Sequence, residues 1–142
     1  MKTPIRSRRS RSKNLTIRQV FAKVREHLLA QNKQSFGNSP RNAGVCAYRG
    51  QDGLSCAVGC LIADEHYDDS FEGYVLHVTD EASPFQRLAV RRLRRALSRS
   101  GVPVSAPKVM DLLVDLQNLH DQHDPCIWPA LLRDLEARYL SA

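Results

Sequence analysis

Four stretches of this chain repeat apolar side chains at three- and four-residue spacing, and most open with a helix-starting residue, which confines the fold to helices packed around a shared core. In Leu15-Thr16-Ile17-Arg18-Gln19 the Thr16 hydroxyl can cap a helix, Gln19 stands at the reciprocal capping-box position, and Leu15 can staple across to Val20. Val20, Phe21, Val24, Leu28 and Leu29 then predict a helix over residues 17–32. Ser83-Pro84 starts the second, with Phe85, Leu88, Ala89, Leu93, Ala96 and Leu97 on its apolar side and Gly101 as its stop. Ser105, with Pro107 behind it, starts the third, whose expected buried face is Val109, Leu112, Leu113, Leu116 and Leu119. Asp124-Pro125 marks a break before a fourth near residues 127–139, built on Trp128, Leu131, Leu132, Leu135 and Tyr139.

The sequence between the first two helices is less regular. Residues 32–44 are rich in Asn and Gly and read as a loop with Phe36 as its anchor. Val45 to Arg49 reads as a short strand, and Gly50-Gln51-Asp52-Gly53 as a tight turn, because Asp-Gly suits left-handed backbone angles. From Leu54 onward a second strand and a short buried helix capped by Ser55 both fit; the compact run before Asp64-Glu65 favours the helix. The expected architecture is mainly α: a compact helical domain of about four longer helices, with a small β-hairpin or helix-turn insertion near residues 45–62.

Charge divides the chain differently. The first 14 residues hold six Lys or Arg and no Asp or Glu, while residues 15–142 carry 15 basic and 15 acidic side chains, so the whole surplus of +6 belongs to an arm. The arm lacks apolar periodicity and is expected to be a flexible basic segment over residues 1–14, followed by one helical domain over residues 15–142. No apolar run is long enough for a membrane span, and no apolar stretch of signal-peptide type follows the basic residues, which leads to the expectation of a cytoplasmic or host-intracellular protein without a membrane partner.

Arg6, Arg8, Arg9, Arg11 and Lys13 can attract phosphates without reading their sequence. A second concentration, six arginines between residues 87 and 99, decorates the second helix. Arg87, Arg91, Arg94 and Arg95 can form an exposed stripe there. Between these two basic regions lie seven acidic residues and no Lys or Arg in residues 64–81, interspersed with Tyr67, Phe71 and Tyr74. Three uses of this pattern compete. A non-enzymatic accessory or regulatory protein could hold nucleic acid through the arm and the Arg-rich helix. The acidic-aromatic segment over residues 64–78 could dock a protein through Tyr67, Phe71 and Tyr74. Alternatively, the acidic and basic surfaces could simply face each other within the fold.

Four cysteines, Cys46, Cys56, Cys60 and Cys126, read as reduced thiols. Two sets have partial metal-ligand character, Cys46/Cys56/Cys60/His66 and His120/His123/Cys126, but neither has the spacing of a paired-cysteine knuckle, and the expectation is burial with no metal. A Cys-dependent hydrolase or transferase would use Cys56 at a helix start, His77 or His120 as base and Asp80 or Asp121 to orient it. Neither a phosphate-cradling Gly-rich loop nor a dinucleotide fingerprint is present, and no cofactor is expected.

One string is distinctive. Cys46-Ala47-Tyr48-Arg49-Gly50, followed by Gly53-Leu54-Ser55-Cys56-Ala57-Val58-Gly59-Cys60-Leu61-Ile62-Ala63-Asp64-Glu65-His66-Tyr67, resembles a signature of uncharacterised small proteins of tailed phages and bacterial prophages. The preceding amphipathic helix and the closing segment from Leu113 to Asp121 extend the resemblance over residues 17–140 and leave out the arm. The resemblance implies a phage-related accessory or host-interaction setting and carries no activity with it.

Overall fold

The computed structural model describes residues 14–37, 46–74, 76 and 80–141. Four α-helices carry the architecture: α1 (Ile17–Gln31), α2 (Pro84–Arg99), α3 (Pro107–Gln122) and α4 (Trp128–Leu140). The protein is mainly α. No helix among the described residues is long and apolar enough to cross a membrane.

Local chemistry sets the helix ends. Thr16 and Gln19 form the expected capping box on α1, and Asn32 ends that helix in the left-handed region. Ser83 and Gln86 form a second box on α2 with Pro84 at its first turn, and Gly101 follows that helix at φ +92°, which a residue with a Cβ rarely adopts. Ser105 does not cap α3: Ala106 holds that position without a side-chain bond, and Pro107 at the first turn removes one of the N–H groups a cap would serve. The Asp124 carboxylate accepts from the Cys126 N–H and shapes the one-turn 3₁₀ helix Pro125–Ile127 that leads into α4.

Helices α1, α3 and α4 pack on one another around Phe21, Leu28, Leu112, Leu113, Leu116 and Trp128, all essentially without solvent exposure. Burial of such side chains contributes on the order of 1.5–3 kcal/mol each. Residues 54–62 thread into this core through Cys56, Ala57, Val58 and Leu61. Gly59 allows that passage, because a Cβ there would sit 2.0 Å from the Tyr48 carbonyl oxygen.

The insertion forms neither of its two expected regular structures. The turn is as expected, with Asp52 and Gly53 both at positive φ, but among the described residues the chain before it makes only isolated antiparallel bridges, Arg49 with Ser55 across the turn and Cys46 with Phe36. Residues 55–62 contain a single 3₁₀ turn, Gly59–Leu61, in place of a short helix. The Gln31 side chain accepts the Ser55 N–H and the Gln117 side chain accepts the Val58 N–H, so these donors are satisfied from outside the segment. Phe36, the expected loop anchor, remains 39% exposed; Ser35 is buried instead, holding Ala47 through its carbonyl.

Candidate nucleic-acid interface

Helix α2 stands apart from the other three in how it is used. Its inward residues, Ala89, Val90, Leu93, Ala96 and Leu97, are buried, and it packs against two acidic one-turn 3₁₀ helices, Asp64–His66 and Asp69–Phe71. The first five residues of α2 are all exposed. Phe85 and Leu88, expected in the core, are 79% and 42% exposed, which is a correction to the apolar face read from the sequence. The buried arc is centred on Leu93, and at 100° per residue Phe85 and Leu88 fall beyond its edge.

All six arginines of α2 are exposed. Arg87 donates to the carbonyls of Ala82 and Asp80, and Arg94 donates to the Val104 carbonyl at 3.2 Å, so these two secure the chain at the flanks of the helix. Among the described residues, no carboxylate lies within salt-bridge distance of Arg91, Arg92, Arg95 or Arg99. Arg92, Arg95 and Arg99, spaced by three and four residues, line a groove of about 270 Å³ whose opposite wall carries Glu65, His66 and Asp68. The Asp68 carboxyl is held below its usual range, first by the Ser70 backbone N–H and to a lesser degree by the field of Arg92. Acid and base therefore face one another across a groove without closing into ion pairs.

Sequence reading singled out Arg91 and Arg95 but not Arg92 and Arg99. The missing signal was Phe85 and Leu88: once these are assigned to the outside, Phe85, Leu88, Arg92, Arg95 and Arg99 form one continuous stripe at alternating spacings of three and four. The basic arm residues Arg6, Arg8, Arg9, Arg11 and Lys13 lie outside the described residues. The point where the arm joins the body is described: the Leu15 N–H donates to the Gly101 carbonyl at 2.8 Å, just past the C-terminal end of α2.

The acidic segment turns its rings inward. Phe71 is only 3% exposed, and Tyr67 meets it edge-on at 6.1 Å while donating its hydroxyl to Glu72. Arg49 lies over the Tyr67 ring and pairs with Asp64, so two of the expected docking groups are committed to internal contacts. Tyr74 is half-buried and its carbonyl accepts from the Tyr48 hydroxyl. The extended piece expected over residues 74–78 and His77 fall mostly or wholly outside the described residues. Phe71 thus has no free ring face to offer a partner.

All four cysteines are free thiols. The Cys56 sulfur is completely buried and accepts the Gly59 N–H, and burial pushes its pKa upward. No helix starts at Ser55 to favour its thiolate. His120, the proposed base, has both ring nitrogens engaged. Its Nε2 accepts the Ser35 N–H at 3.0 Å, which fixes the proton on Nδ1, and Nδ1 donates to Asp121 at 2.7 Å. Neither the buried thiol nor the occupied imidazole is arranged for thiol catalysis.

The metal sets read from sequence are not assembled. Among the described residues the cluster that forms takes Cys46 from one set and His120 from the other and adds Asp121, with ligand atoms within 4.8 Å of one another. A metal on Nδ1 would need the ring proton on Nε2, where the Ser35 N–H already points. The arrangement instead fits a hydrogen-bond chain. Asp121 also receives Gln117, whose side-chain oxygen accepts from Val58, while His120 stacks on Trp128 at 5.6 Å. Burial and the nearby Asp121 push the Cys46 thiol up to about 12.

No family model matches the chain, and the comparisons with curated proteins and with solved structures found no match.

Proposed function

We propose that the protein is a non-enzymatic accessory or regulatory factor that binds nucleic acid electrostatically through α2 and the basic arm. The observation that carries this reading is the set of exposed guanidinium groups on Arg91, Arg92, Arg95 and Arg99 that no described carboxylate neutralises. A guanidinium offers five donors in a planar fork that matches phosphate oxygens, and four of them along one helix present a repeating set of such forks. The six positive charges of the arm precede Leu15 in the sequence, and the Leu15 N–H meets the Gly101 carbonyl just past the C-terminal end of α2. The resemblance to phage proteins supplies a setting for an accessory factor and no chemistry.

The mechanism is counterion release. Each phosphate contact frees a condensed cation, so affinity falls steeply with salt, and the body adds shape rather than base readout. The test is a fluorescence-anisotropy titration of the full chain against DNA and RNA oligonucleotides of unrelated sequence over a salt series. Affinity is expected to fall linearly on a log–log plot, with the slope reduced by about one for each of Arg91, Arg92, Arg95 and Arg99 replaced by Ala. Absence of binding at low salt would overturn the reading.

A further inference from the structure

The stripe on α2 is not purely cationic. Phe85 and Leu88 occupy its N-terminal half, Arg92, Arg95 and Arg99 its C-terminal half, and the stripe runs about 21 Å along the helix axis. Phosphate attraction explains the arginines and leaves the two apolar side chains unexplained. A phenyl ring that is 79% exposed stands at a cost relative to burial, and no packing within the domain requires it. A duplex covers such a ring only at the cost of unstacking a base step, because duplex bases are already stacked on one another. An unpaired base does, since stacking on an aromatic face beside a basic track is how single strands are held irrespective of sequence.

From this juxtaposition we infer that the α2 stripe is a single-strand site, with Phe85 and Leu88 as the platform for an unpaired base and Arg92, Arg95 and Arg99 as the track for the adjoining phosphates. The opposite wall of the groove reinforces the choice. Glu65 and Asp68 face the arginines, and a duplex lying along α2 would press its second row of phosphates toward those carboxylates, whereas one strand can keep to the arginine side. This inference rests on the nucleic-acid reading above and narrows it to one form of the polymer.

The experiment compares single-stranded and duplex oligonucleotides of equal length with the full chain, its Phe85→Ala variant and its Phe85→Trp variant, at one low salt concentration. Phe85 lies on the surface, so all three proteins are expected to have the same circular-dichroism melt. The single strand is expected to bind at least tenfold more tightly than the duplex. Phe85→Ala should weaken single-strand binding by about 5- to 150-fold and leave duplex binding unchanged, and Phe85→Trp should retain it. Equal affinity for the two forms, or a Phe85→Ala variant that binds the single strand normally, would overturn the single-strand site while salt-sensitive binding preserved the electrostatic reading. Loss of binding to phosphatidylserine vesicles in Phe85→Ala, with oligonucleotide binding untouched, would overturn the site in favour of a lipid surface. No binding of either oligonucleotide would remove both readings together.

Discussion

The C-terminal end of α3 and the outer face of α2 hold comparable chemistry, aromatic rings and strongly polar groups within a few residues of one another, and use it in opposite directions. At α3 the polar groups are spent inside, apart from the buried Ser35 hydroxyl, which has no partner among the described residues. Ser35 donates to His120, His120 to Asp121, and Gln117 joins Asp121 to Val58, while Trp128 stacks on the imidazole and donates to the His123 carbonyl. At α2 the groups are left outward: Phe85 has no cover, and Arg91, Arg92, Arg95 and Arg99 have no anionic partner within salt-bridge distance among the described residues. A hydrogen-bonded buried network stabilises one arrangement of the chain and offers little to a ligand. Solvated, exposed groups with no protein partner add little stability and stay accessible to one. On the proposed reading, the α3 end serves stability and α2 serves binding.

The contrast breaks most visibly if the two regions are perturbed separately. Trp128→Ala removes a fully buried ring from the α1, α3 and α4 core and is expected to cost about 3–5 kcal/mol, read from the midpoint of a urea unfolding curve. In conditions where the variant stays folded, its oligonucleotide affinity should match that of the unaltered chain. A large loss of affinity in the folded variant would show that the two regions are coupled.

Alkaline titration sharpens the inner side of the comparison. Burial pushes the Cys60 thiol up to about 12 from an ordinary value of 9.0, so the folded chain keeps this proton where the unfolded chain releases it. A raised folded pKa gives stability that is complete below about pH 9 and is lost as pH climbs toward 12, since the unfolded state binds fewer protons across that window. The urea midpoint should therefore fall between pH 9 and 12, and fall less in Cys60→Ala than in the unaltered chain. Equal alkaline slopes in the two proteins would count against a buried, protonated Cys60.

The smallest effect belongs to the rim of the α2 groove. Asp68→Asn removes a charge whose field reaches Arg92 and is expected to tighten oligonucleotide binding about twofold at low salt, with the gain fading at high salt as exposed charges are screened. Its melting temperature should change little, because Asn retains an oxygen for the Ser70 N–H. A tightening that persisted at high salt would assign the effect to shape rather than charge.

The sequence alone was enough for α1, because Thr16, Gln19 and the stripe from Val20 to Leu28 are a self-contained instruction: cap, box and periodic face all agree. It was enough also for the ends of α2, where Ser83-Pro84 and Gly101 act through local backbone geometry. It located the arginines as a group, since their number and spacing are properties of the chain. It did not reveal which side of α2 is covered. Periodicity defines an apolar arc, but how much of that arc meets a partner depends on what packs against α2, and in the fold Leu93 and Ala96 are buried while Phe85 and Leu88 stay exposed. Nor did it foresee that Cys46, His120 and Asp121 meet. Cys46 is separated from the other two by more than seventy residues, and their approach is decided by how the loop carrying Ser35 and the chain around Cys46 close over the end of α3. Local interactions are written along the chain and can be read from it, whereas the pairing of distant polar groups depends on where packed helices bring loops together, and tertiary structure alone supplies that.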